Sequence, residues 1–92
     1  VMWPDVPVVA RAYMDQLQRS NVIAGGQVLQ LNTALDQAEG LLSSNSSNSG
    51  LANELDELAE AMEDEGNDRN GRSRVRYLSL STTLEGIAGQ LR

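Results

Sequence analysis

The chain predicts an all-α fold, a four-helix antiparallel bundle in up-down-up-down order, on three observations. Val28, Leu31, Leu35, Ala38 and Leu42 recur at steps of three and four, and so do Tyr77, Leu80, Leu84, Ile87 and Leu91. Such steps put each set on one helical stripe, which is how a helix buries a seam against its neighbours. Shorter series of the same period lie before and between them. Polar breaks rich in Gly, Asn and Ser then divide the chain into four segments, and short connections favour antiparallel neighbours. Residues 1–92 are expected to form a single helical domain, the usual outcome at this length.

The first helix is expected over residues 5–19. Asp5 is the candidate N-cap and Pro7 an early helical residue, where a missing backbone donor costs nothing. Val6, Val9, Ala10, Tyr13 and Leu17 fall on its inward side, and Ser20-Asn21 end it. Val22-Ile23 and Gly25-Gly26 make an apolar turn. The second helix then covers residues 27–42, with Leu29 and Leu41 flanking its stripe and widening the apolar face beyond a two-stranded seam. Residues 43–50, SSNSSNSG, are a polar connection that ends in a candidate N-cap, Ser49. The third helix is expected over residues 51–64, with Leu51, Leu55, Leu58 and Met62 inward and carboxylates outward. Gly66–Gly71, GNDRNG, is a turn of residues that tolerate left-handed backbone. The fourth helix is expected over residues 73–91. Its middle, Ser79 to Thr83, is poor in helix formers, so packing must hold it. Gly86 and Gly89 on either side of Ala88 would let a neighbouring helix approach closely. Leu31, Leu35, Leu55, Leu58, Leu80, Leu84 and Ile87 are expected to be buried together.

Composition narrows the chemistry. Histidine, cysteine, lysine and phenylalanine are absent, which removes the usual carriers of acid–base, nucleophilic and transition-metal chemistry. Aromatics are 3% of the chain, Trp3, Tyr13 and Tyr77. A core of small aliphatic side chains leaves little room for a large ligand cavity. The two tyrosines are expected in the core with their hydroxyls at its rim. Without cysteine there are no disulfides, and the redox compartment is not legible. No apolar run approaches a membrane span, and no signal-peptide pattern is present. The chain starts at Val1 and reads as a processed product or an excised part of something longer.

The net charge is −6, which opposes nucleic acid and anionic lipid surfaces as partners. Glu54, Asp56, Glu57, Glu60, Glu63, Asp64, Glu65 and Asp68 hold eight of thirteen carboxylates, and Arg69, Arg72, Arg74 and Arg76 follow directly. One reading is a pair of solvated helix faces that neutralise each other across a turn; the other is a docking patch. The acids near the end of the third helix oppose its dipole, and the following arginines are the obvious relief.

No catalytic, cofactor-binding or metal-ligating residues are assigned. In an EF-hand alignment with Gly71 at the sixth position, Gly66 falls first and Tyr77 twelfth, and neither can supply the required ligand. Di-iron bundles need Glu-x-x-His pairs and attached haem needs cysteines, so neither cofactor fits. The pairs Glu54–Glu57 and Glu60–Glu63 lie opposite Leu55, Leu58 and Met62, in open water rather than a protected site.

The candidate partner-contact residues are Val1, Met2, Trp3 and Pro4. Trp3 either staples onto the first turns of the helix or meets another chain or an upstream domain; Val1 and Met2 extend the apolar patch beyond what one helix end covers, which favours contact.

Val9 to Leu42, VARAYMDQLQRSNVIAGGQVLQLNTALDQAEGLL, resembles the opening of FIMAH-type helical domains of bacterial cell-surface and secreted proteins. The tyrosine of the first helix, a short turn with a branched residue, and Leu35-Asp36-Gln37-Ala38-Glu39 carry the resemblance. It implies a non-catalytic appendage exported from the cytoplasm, periplasmic or secreted, and no functional residue is carried over. The expected function is therefore a non-enzymatic helical interaction domain or small accessory subunit of a larger bacterial assembly, with a protein partner. The alternative is a structural protein that completes its bundle as a homo-oligomer.

Overall fold

A computed structural model describes residues 7–21 and 23–92. Four helices run through them, α1 (Pro7–Arg19), α2 (Gly25–Ser43), α3 (Ser49–Asn67) and α4 (Gly71–Leu91), and the described residues contain no strand. The Asp5 cap, the inward place of Val6 and Val22 of the apolar turn lie outside the described residues.

Local chemistry sets the helix ends. α1 gives way to Asn21 at φ 56°, and α2 to Asn45 at φ 53°, the left-handed backbone that asparagine tolerates after a helix. Beyond α2 the amide of Asn45 donates to the Leu42 carbonyl at 3.3 Å and that of Ser46 to Leu41 at 2.8 Å. Those two bonds satisfy carbonyls the helix leaves open. α2 starts at Gly25 rather than Gln27, so the two glycines form its first turn. Val28 N–H reaches the Ala24 carbonyl at 3.1 Å; the amides ahead of it need no intrahelical acceptor, which makes a low-propensity start tolerable. The cap of α3 is Asn48 instead of Ser49: its side chain accepts from Leu51 N–H at 2.9 Å.

The second turn is shorter than GNDRNG suggests, because α3 continues to Asn67 and α4 begins at Gly71. Gly66 is buried inside α3, where a Cβ would lie 2.9 Å from Tyr77 Cβ. The glycine is there for close packing, and the chain reverses only after it. Gly71, at φ 69°, supplies the left-handed residue that a side chain would strain. The close approach expected at the other end of α4 is not made by Gly89, which is exposed with open space where a Cβ would project.

Packing centres on α4, which meets all three other helices, while α1 and α3 do not pack on each other. α3 and α4 form the most extensive pair and run in opposite directions. Ser81 Oγ donates to the Ala59 carbonyl at 2.6 Å, Asn48 N–H to the Leu91 carbonyl at 2.8 Å, and Arg92 pairs with Asp56. Tyr77, Leu80, Leu84, Ile87 and Leu91 are fully buried along α4. They meet Leu31, Leu35 and Ala38 of α2, Leu51, Leu55, Ala59 and Met62 of α3, and Ala10, Met14 and Leu17 of α1 in one core. Of the seven residues expected together there, Leu58 is only partly buried and packs on its edge. Leu29 is 69% exposed. It lies off the stripe and does not widen the buried face of α2, whose flank is covered only at the half-buried Leu41.

Candidate protein-interaction surface

α1 buries Val9, Ala10, Met14 and Leu17. Residues a turn apart on its other side, Val8 and Ala12, therefore face solvent, and Val8 is 70% exposed. A surface helix usually carries polar groups there; α1 does so only further on, where Asp15 and Arg19 pair at 3.0 Å. On α4 the residues Arg72, Val75, Arg76 and Ser79 share a second outward stripe, set by their i, i+3, i+4, i+7 spacing. Val75 is 62% exposed between its two arginines.

These two faces adjoin. Val8, Val9, Ala12, Tyr13 and Gln16 line a hollow of about 350 Å³ along α1. Tyr13 and Gln16, with Gly71, Arg72, Val75, Arg76 and Ser79, line one of about 540 Å³ between α1 and α4. Because they share Tyr13 and Gln16, the hollows make one open trough with an apolar floor. Arg76 is held at its edge by donating from Nη1 to Ser20 Oγ at 3.2 Å, across from α4 to the end of α1. Tyr13 accordingly has one side on the core and one on the trough, rather than a wholly interior place.

Charge is distributed differently from what the sequence suggests. Among the described residues Arg11 spans from α1 to Asp36 and, at 3.2 Å, Glu39 on α2, and Arg69 reaches Glu65 at 3.3 Å. Arg72, Arg74 and Arg76 make no ion pair there, although eight carboxylates immediately precede Arg69. Mutual neutralisation across the turn is thus limited to Arg69. The reason is angular: successive residues of a helix point about 100° apart, so the first turns of α4 fan their arginines away from α3. Glu54, Glu57, Glu60, Glu63 and Asp64 are exposed on the outer side of α3, also without ion pairs among the described residues.

Beneath the turn, Arg69 lies 5.4 Å from the centre of the Tyr77 ring, a cation–π approach. Burial raises the Tyr77 phenol above its ordinary pKa of 10.0; the Arg69 charge and hydrogen bond oppose that rise, and the Glu65 charge adds to it. This group supports the α3–α4 junction, with Tyr77 fully buried.

Val1, Met2, Trp3 and Pro4, the contact residues expected from the sequence, lie outside the described residues. The trough on α1 and α4 went unanticipated, though a signal existed: Val75 stands off the Tyr77–Leu91 stripe with arginines at positions 72 and 76. Gly66 and Tyr77, the end positions of the EF-hand alignment, are helical and buried. Among the described residues no group of three or more carboxylates is placed to hold a metal ion, and no helix is long and apolar enough to cross a membrane. No protein-family model, curated protein or solved structure matches this chain.

Proposed function

We propose that this chain is a non-enzymatic helical interaction domain, a C-terminal module or small accessory subunit of a larger bacterial assembly. The observation that carries this reading is the trough: two large aliphatic side chains, Val8 and Val75, stand in water beside Tyr13 instead of joining the core. Apolar side chains gathered in one hollow with a polar rim are the usual form of a protein contact site. The up-down-up-down bundle belongs to the same proposal. It is supported by the adjacencies, since α1 with α2, α2 with α3, α3 with α4 and α4 with α1 close a ring crossed by a single diagonal, α2 with α4. Kinship with FIMAH-type domains, and export from the cytoplasm with it, rests on the Val9–Leu42 resemblance alone.

A photo-crosslinking amino acid placed at Val8 or Val75, in the chain as its cell makes it, tests the reading. Both positions should give a discrete protein adduct that the same probe at Thr33 or Glu57 does not. Adducts absent from both trough positions, or equal at all four, would show the trough is not the contact surface.

The second reading, self-association, has its own supporting observation: an acidic outer face on α3 and the arginines Arg72, Arg74 and Arg76 on α4, neither in an ion pair among the described residues. Light scattering across a range of concentrations separates the two readings, because only self-association needs a mass that rises with concentration.

A further inference from the structure

We infer that the trough between α1 and α4 receives an acidic amphipathic helix, with apolar side chains over Val8, Tyr13 and Val75 and carboxylates on Arg72 and Arg76. The inference rests on the interaction reading above and adds the partner's chemistry.

Charge complementarity identifies the partner. Four of the seven arginines, Arg11, Arg19, Arg69 and Arg92, are paired with carboxylates of this chain. Among the described residues Arg72 and Arg76 are not, and both line the trough on either side of the exposed Val75. Their placement does not serve the helix. α4 has no acid in its first turn and no side-chain bond from its cap Asn70, so a cation at Arg72 faces the positive end of the helix dipole unopposed. Guanidinium groups are also the best-suited protein cations for gripping carboxylates through paired N–H donors.

The shape selects a helix. The trough lies between two helices, and the described residues offer no strand edge to which an extended peptide could add. An apolar floor with charged edges matches a helix that carries anchors at i, i+3, i+4 and i+7 and acids beside them. Nucleic acid and anionic membrane fit less well, since the net charge of −6 repels both. A second copy would bring the α3 carboxylates, but among the described residues the exposed large aliphatic ones are Val8, Leu29 and Val75, none of them on α3. Such a contact would meet the arginines and leave the floor uncovered.

The test uses three fluorescein-labelled synthetic helical peptides of about 18 residues, long enough to hold helical structure. One is a Leu/Ala/Glu amphipath, one has Lys in place of every Glu, and one scrambles the acidic sequence so that its apolar stripe is lost. Fluorescence anisotropy with the full chain should show the acidic amphipath binding at least about tenfold more tightly than either other peptide, and more weakly as salt rises. R72E/R76E should weaken it by about tenfold or more. Arg74→Glu makes the same kind of charge change two residues from Arg72, off the trough, and should leave binding within about twofold. Val75→Asp should abolish binding with the circular-dichroism melt retained, because Val75 is exposed.

Equal binding of the Lys peptide, or an equal loss with Arg74→Glu, would overturn the inference, since net charge and not the trough would then govern. Should no peptide bind while Val75 still crosslinks to a partner in the cell, the acidic helix is wrong and the interaction reading stands. With neither peptide binding nor a trough adduct, both fail. A concentration-dependent oligomer dissolved by Val75→Asp would assign the trough to a second copy and also overturn the inference.

Discussion

Gly66 shows how one residue type answers to position. In α3 it replaces a better helix former, yet a Cβ there would lie 2.9 Å from Tyr77 Cβ and 3.2 Å from a methyl of Leu78. The Tyr77 Cβ is fixed to backbone and cannot swing aside, so Gly66→Ala should lose about 1–3 kcal/mol despite its gain in propensity. Gly40, also within a helix, has open space at the same position, and Gly40→Ala should gain about 0.5–1 kcal/mol. Urea denaturation of both variants checks the pair; equal signs would refute the packing account. Asn70 supplies a second residue-scale expectation. It caps α4 without a side-chain bond, and the first turn behind it holds Arg72 and no acid. Asn70→Asp should therefore stabilise by about 0.5–1 kcal/mol at neutral pH and less at high salt. Tyr77 makes the fold sensitive to alkali. Its folded pKa is raised above 10.0, so at pH below 10 it is protonated in both states and its stabilisation is complete. Above that the unfolded chain releases the proton first, and stability falls as pH rises toward the folded pKa. The chain has no lysine or cysteine to titrate nearby, and Tyr77→Phe should remove much of the alkaline loss seen in melts between about pH 9 and 11.5.

At the scale of elements, α2 and α4 carry their apolar residues in the strictest register, and α4 is the helix around which the others pack. α2 buries Leu31, Ala34, Leu35 and Ala38 without an ion pair to α3 or α4 among the described residues. Its docking on them is apolar burial, with Arg11 clamping it to α1 through Asp36 and Glu39. Exposed pairs of that kind contribute little beside a buried leucine. Leu35→Ala should accordingly cost about 2–4 kcal/mol, a large part of what a domain of this size has. Thermal melts beside Gln30→Ala, an exposed position on the same helix, provide the control; equal shifts would show that α2 is not held by its stripe. α3 and α4 add buried polar bonds to their apolar contact. Ser81 finds its acceptor in the Ala59 carbonyl, which explains a polar residue in the middle of the core.

As a whole the chain folds to a radius of gyration of 12.3 Å, close to the ~12 Å expected of a globular domain of this length. Its extents of 37 × 31 × 19 Å describe a flattened body. The acids on the outer side of α3 repel one another at helical spacings, Glu57 with Glu60 and Glu60 with Glu63 and Asp64. With a net charge of −6, self-repulsion outweighs the few exposed ion pairs, so raising salt from about 0.01 to 0.15 M should raise the melting temperature. A fall would mean that ion pairs govern stability instead. The arrangement also keeps an acidic and a basic surface apart, because α4 turns Arg72 and Arg76 toward α1 while α3 keeps Glu54, Glu57, Glu60, Glu63 and Asp64 outside.

Helical class, the four segments and most of the core were readable without coordinates, because burial of a helix requires an apolar period of 3.6 and the chain displays it in Val28–Leu42 and Tyr77–Leu91; Met14, Ala34, Ala52 and Ala59 join the core beyond that reading, and Leu42 stays at its edge. Helix ends were less legible. Asn48 and Ser49 are both good caps, and the choice depends on which backbone amide the folded turn presents; Gly66 resembles a turn residue until Tyr77 and Leu78 are set against it. The trough is a property of the tertiary structure alone. Val8 and Tyr13 stand far in sequence from Arg72, Val75 and Arg76, and only the packing of α1 on α4 makes the two groups neighbours. Arg69 meets its acid locally, at Glu65 four residues back, whereas among the described residues Arg72 and Arg76 meet none, since charge counts along a chain carry no angle. Periodicity determines which side of each helix goes inward; the placement of one helix against another decides what the outward sides become.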